Sequence, residues 1–150
     1  MSSESLANLA KIGKLKAEPP TQAEFDGLLR SGRTRLKDAQ NPANALESRF
    51  DLAYNPAHAL SLAALRWKGY RSEDRHMVFQ ALPHTLEIES AKWKVLDLCH
   101  RRRNLSEYEG HLEVDEGLVA HLIAVTLEVL RRVEALGRSA PGPARGPGTT

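Results

Sequence analysis

Between His100 and His111 the chain reads HRRRNLSEYEGH, which brings two histidines, three arginines, an asparagine and a tyrosine into one short stretch. A guanidinium presents a rigid fork of donors matched to phosphate oxygens, and an asparagine amide adds further donors. Histidine is the side chain best able to move a proton near neutral pH. His100, Arg102 and Arg103 are therefore candidate phosphate ligands. With Asn104, Tyr108 and His111 they have the makings of a phosphodiester site. A structural alternative stands beside this one. Arginine stems are apolar enough to lie along the end of a helical bundle with their heads in water, and cations are favoured at a helix C-terminus. Glu107 and Glu109 are also at hand to neutralise them.

The element that must position these residues shows the same tension. An apolar stripe at helical spacing runs through Ile88, Ala91, Val95 and Leu98, and its next position is Arg102. The neighbouring row of Lys92, Leu96 and Cys99 arrives at Arg103. Asn104, Ser106 and Gly110 all interrupt helices, so residues 104–110 are expected to form a loop.

Other chemistries have less to work with. No two histidines on one helix stand four residues apart, and HExxH is absent. There is no glycine-rich phosphate loop, no nucleophile elbow and too few aromatics for a broad base-stacking platform. No metal and no cofactor is expected. His58 and His121 lie among apolar helical residues, where a core or interface histidine is the commoner case. His76 and His84 fall near helix ends, and Trp67 and Trp93 read as core.

The composition sets wider bounds. A chain of 150 residues with 41% hydrophobic content can bury one core, and a net charge of +2 argues against binding nucleic acid through bulk charge. Cys99 is the single cysteine, so neither a disulfide framework nor a zinc set is available. A reducing cytosol is the natural setting. No basic-then-apolar leader and no long charge-free apolar run is present, so a soluble, cytoplasmic protein with no membrane contact is expected.

Strand alternation is nearly absent and helical periods recur throughout, which predicts an all-α antiparallel bundle of four to five helices. Residues 1–20 form a weak first helix and a linker ended by Pro19-Pro20. Residues 21–136 form the bundle, and the Gly/Pro-rich residues 137–150 are expected to be disordered. Thr21 to Glu24 has the form of a capping box. Phe25, Leu28, Leu29 and Leu36 face the core of the helix that follows, while Arg30, Arg33, Arg35 and Lys37 form a solvated face. Asn41-Pro42 is expected to open the next helix, Pro56 to kink it, and Gly69 to stop it. Ser72 is expected to cap a shorter helix through Leu82, and Asp115 the last one. Leu118, Leu122, Val125 and Val129, beside Val119, Ile123 and Leu130, make that last helix apolar over more than half its circumference. It must be central or serve a subunit interface.

Two stretches carry a resemblance. SRFDLAYNPAHALSLAALRWKGYR, from Ser48 to Arg71, is similar to the long helix of HEPN domains, with its tyrosine and small residues midway. RRRNLSEYEG, followed by a capped apolar helix, resembles the segment that carries the HEPN signature, and LKAEPP near the front resembles a small stand-alone HEPN subgroup of unassigned role. The resemblance covers roughly residues 14–136. It implies an up-and-down helical bundle, often a homodimer whose signature residues face one cleft. Many such proteins are metal-independent ribonucleases and toxins of toxin–antitoxin pairs, and others bind nucleotides or protein partners without cleaving. The implied ligand is RNA or a nucleotide. The implied catalytic residues are Arg103 and Asn104, which match the signature's first two positions, with Tyr108 or His111 assisting. The signature's histidine stands four to six residues beyond its arginine. Tyr108 occupies the place after four, and seven residues separate His111 from Arg103. A tyrosine, with a reference pKa of about 10, is a poor base at neutral pH, though it can donate a proton or position a phosphate. Alternatively, the chain is a non-catalytic dimerisation or protein-interaction module with its arginines solvated.

Overall fold

The computed structural model describes residues 2–138, and helical periodicity becomes helix over most of that length. Seven helices are formed among the described residues: α1 (Ser2–Lys11), α2 (Gln22–Ala39), α3 (Leu46–Trp67), α4 (Arg75–Gln80), α5 (Leu82–Thr85), α6 (Ser90–Glu109) and α7 (Glu116–Arg138). Two-residue strands β1 (Lys16–Ala17) and β2 (Tyr70–Arg71) pair antiparallel. The architecture is an all-α bundle built on the four long helices, with α4 and α5 as short connecting turns.

The axis of the bundle is α3. It buries Phe50, Ala53, Tyr54, Ala57, Leu60, Ala63, Ala64 and Trp67, and α2, α4, α5, α6 and α7 all pack on it. Small residues explain how so many neighbours fit. Gly32 of α2 lies so close to α3 that a Cβ there would fall 2.6 Å from the Leu60 side chain. Pro56 is buried inside α3, and the helix runs through it from Leu46 to Trp67. The breadth of α7 is used within the chain. Val119, Leu122, Val125, Val129 and Val133 are buried, and α7 packs on α2, α3 and α6.

A second, smaller core joins Leu6 and Leu15 to Leu65, Met77, Val78 and Ala81. It ties the N-terminal arm to the end of α3 and to α4. Beside it Arg66, almost fully buried, donates from Nε to Glu24 Oε1 at 2.7 Å. Its other nitrogens donate to the carbonyls of Glu18 at 2.9 Å and Pro19 at 2.7 Å. Arg71 bonds both Glu18 and Glu24.

Several local expectations are corrected. Thr21 does cap α2, accepting from Glu24 N, but the Glu24 carboxylate turns to Arg66 and Arg71 instead of back to its own helix. Asn41-Pro42 does not open α3. Asn41 accepts from Ala43 N, and Asn44 donates to the Asp38 carbonyl, a side-chain turn that competes with helix and delays it to Leu46. Asp74, not Ser72, caps α4, and Ser72 accepts from Asp74 N. Residues 104–109, expected as a loop, continue α6 to Glu109, where Gly110 in a left-handed conformation (φ 79°) ends it. Of the two places expected for His121, core or interface, the core is excluded, since it is exposed on α7. Gly137 and Arg138, expected in the tail, extend α7, and the rest of that expected tail, 139–150, lies outside the described residues. Asp115 caps α7 as expected, accepting from Leu118 N at 2.7 Å. No helix among the described residues is long and apolar enough to cross a membrane.

Candidate functional site

The inward row of α6 is Leu96 and Cys99, both fully buried, and the next residue on that row is Arg103. Its guanidinium comes to rest over the ring of Tyr54, 5.3 Å from the centroid. Tyr54 is itself fully buried in α3 and is held by near-parallel rings of Phe50 and His100 and the edge of Phe79. A second guanidinium, Arg75 from the first turn of α4, lies 5.6 Å from the same centroid. Two cations from different helices thus converge on one buried aromatic ring, whose electron-rich π-system offsets part of their charge.

His100 completes the cluster. Its Nδ1 is 2.7 Å from the Tyr54 hydroxyl, and its Nε2 accepts from the Asn104 side-chain amide at 3.3 Å, one turn further along α6. An imidazole that accepts at Nε2 carries its proton on Nδ1, so in this arrangement Nδ1 donates to the Tyr54 oxygen and the ring is neutral. Burial works in the same direction and, with the charge of Arg75, holds His100 below its ordinary pKa. His58, one turn after Tyr54 on α3, meets the edge of Phe79. Burial first, then Arg75 and His100, depress its pKa to about 4. The Tyr54 hydroxyl is pushed above its usual value by burial, and burial lifts the Cys99 thiol to about 12, so it is no nucleophile.

The electrostatic character follows from these placements. Arg30, Arg33, Arg35 and Lys37 are exposed as expected, and Arg33 pairs with Glu134 at 2.7 Å. Arg75 and Arg103, by contrast, make no ion pair with a carboxylate among the described residues, and Arg75 Nη1 is buried without a hydrogen-bond partner. The acids near the rim are otherwise engaged. Asp97 holds His76 at 2.6 Å and Arg101 at 3.7 Å, and Asp74 caps α4. A group with negative charge and several acceptor oxygens is the natural complement of two such guanidiniums.

The expected site residues divide. The fold brings His100, Arg103 and Asn104 together. Arg102 instead donates to the Glu113 carbonyl at 2.7 Å and ties α6 to the segment before α7. Tyr108 is 89% exposed on the outer edge of α6 and touches neither Arg103 nor His100. His111, past the end of α6, lines a shallow cleft of about 260 Å³ with Glu47, Asp51, Ser106, Gly110 and Leu112. It makes no hydrogen bond or ion pair to Arg103. Donor atoms of Glu109, His111 and Glu113, all exposed, lie within 4.8 Å of one another, a grouping on the turn after α6 that a search for helical histidine pairs does not consider.

Three members of the cluster were missed in the sequence: Tyr54, His58 and Arg75. The four-residue spacing of Tyr54 and His58 on an otherwise apolar helix was a legible signal that both share a face. Nothing local marks Arg75, which reaches the ring only because α4 folds against α3 and α6. Comparison with protein-family models, with curated proteins and with solved structures finds no match to this chain.

Proposed function

We propose that this chain is a HEPN-like protein that binds RNA or a nucleotide, seating a phosphate between Arg75 and Arg103 with Asn104 and His100 alongside. One observation carries the reading: two guanidiniums from separate helices converge on Tyr54 without a carboxylate partner among the described residues. Unneutralised cations gathered on one ring repel one another, and an anion bound by both removes that cost while filling their open donors.

The same residues supply the parts for cleavage of RNA. Arg103 holds the scissile phosphate, and His100, three residues before it and not beyond it as in the family signature, is the histidine at hand to act as base. In that step the ribose 2′-hydroxyl gives its proton to His100 Nε2, displacing the Asn104 amide, as its oxygen bonds to phosphorus. The 5′-oxygen leaves and takes a proton from water. A depressed pKa keeps His100 in the neutral, accepting form at neutral pH.

The test is incubation of a mixed RNA substrate in EDTA with wild type and Arg103→Ala. Cleavage by the wild type that is lost in the variant supports a metal-independent ribonuclease. Absence of cleavage, with RNA or nucleotide affinity that falls in Arg103→Ala, supports a binding protein without turnover. Equal affinity in both proteins removes the phosphate site and leaves a helical interaction module.

A further inference from the structure

The turn between α6 and α7 carries metal-ligating side chains at alternate positions, Glu109, His111 and Glu113. The fold sets them together. Gly110, left-handed at φ 79°, turns the chain directly after Glu109. Leu112 and Val114 then pack against the main core, which leaves the alternating His111 and Glu113 on the outer side. One donor atom from each of the three lies within 4.8 Å of the other two. The turn is held at both ends. Gly110 N donates to the Ser106 carbonyl at 3.0 Å, and Arg102 donates to the Glu113 carbonyl at 2.7 Å.

The three side chains make no hydrogen bond or ion pair among the described residues, whereas Glu24, Asp97, Glu128 and Glu134 each hold a cation. Two unpaired carboxylates this close repel one another. The cleft that His111 lines brings two further acids to its border, Glu47 and Asp51.

We infer that Glu109, His111 and Glu113 bind a divalent transition-metal ion of the zinc kind through three protein ligands, leaving its remaining position to water. The inference is independent of the phosphate reading. Donor chemistry selects the ion. An imidazole nitrogen beside two carboxylate oxygens suits a borderline cation such as zinc, whereas calcium and magnesium favour oxygen alone. Tetrahedral ligands at about 2.0 to 2.2 Å from zinc stand roughly 3.3 to 3.6 Å apart, so these exposed side chains must draw together slightly to close on it. Binding removes the carboxylate repulsion and joins the end of α6 to the segment that leads into α7. The charge of Arg102, held at the Glu113 carbonyl, works against it, and two carboxylates outweigh that one charge.

Isothermal titration of zinc into the metal-stripped full chain tests the site. Wild type is expected to take up a single ion, and His111→Ala, Glu109→Gln and Glu113→Gln should each weaken its binding at least about tenfold. All three residues are exposed, so the variants should melt at the wild-type temperature in EDTA. Added zinc should then raise the melting temperature of wild type more than theirs. His76→Ala, which removes the separate His76–Asp97 pair, should bind zinc as wild type does. The inference is overturned if wild type takes up no ion, if any of the three variants matches it, or if His76→Ala abolishes the uptake. Displacement of zinc by an equal concentration of calcium would also overturn it, since an oxygen-only site would then be the better description.

Discussion

At the scale of single residues, the site is organised by a buried tyrosine rather than by its arginines. Tyr54 offers its ring to two cations and its hydroxyl to His100. Tyr54→Phe keeps the ring and leaves His100 Nδ1 without its partner. The expected result is a stability loss of about 1 to 2 kcal/mol in urea unfolding, with the ring still in place beneath Arg103. His58 makes a different prediction. Its folded pKa of about 4 lies below the ordinary 6.5, so the unfolded chain binds the proton more readily. Its contribution is fully present above pH 6.5 and is lost as pH falls towards 4, on the order of 3 kcal/mol in all. Melting temperatures measured across that window should decline with acid in the wild type, and His58→Gln should flatten the decline.

At the scale of elements, the N-terminal arm is more than a leader to the bundle. Helix α4 supplies Arg75, and its inward residues Met77 and Val78 pack against Leu6 and Leu15 of the arm. The ion network around Arg66 fastens the same arm to the end of α3. Although partial burial opposes it, hydrogen bonds from Arg66 and Arg71 hold the Glu24 carboxyl below its ordinary 4.5. Its stabilising share is therefore present above pH 4.5 and lost below it. Glu24→Gln leaves the buried Arg66 charge without its closest carboxylate, and a loss of about 2 to 3 kcal/mol is expected, less than for a fully buried pair because Glu24 is partly exposed. A loss confined to a few tenths of a kcal/mol by denaturant titration would show that Glu18 and the carbonyls suffice. The expected capping box explains why this role was not legible. Glu24 has the right spacing to bond its own helix, and only the arrival of Arg66 and Arg71 redirects it.

At the scale of the whole molecule, α3 decides what the other helices can do. The apolar breadth of α7 reads equally well as a central helix or a subunit interface, and its packing on α2, α3 and α6 accounts for it as central. Exposed apolar surface lies elsewhere, at Leu105 and Tyr108 on α6 and at Ile12. The sequence by itself determined the helical class, most of the long helices, the caps at Thr21 and Asp115 and the stop at Gly69, because periodicity and capping are local properties read within a few residues. It also singled out Arg103, Asn104 and His100, which share one short stretch of helix. It misjudged residues 104–109, whose helix-interrupting side chains are outweighed by the continuity of α6. Only the tertiary structure could bring Tyr54, His58 and Arg75 to Arg103 while leaving Tyr108 and His111 apart. Those residues meet across three helices, and the distance between side chains on separate helices is set by packing, which no local pattern encodes.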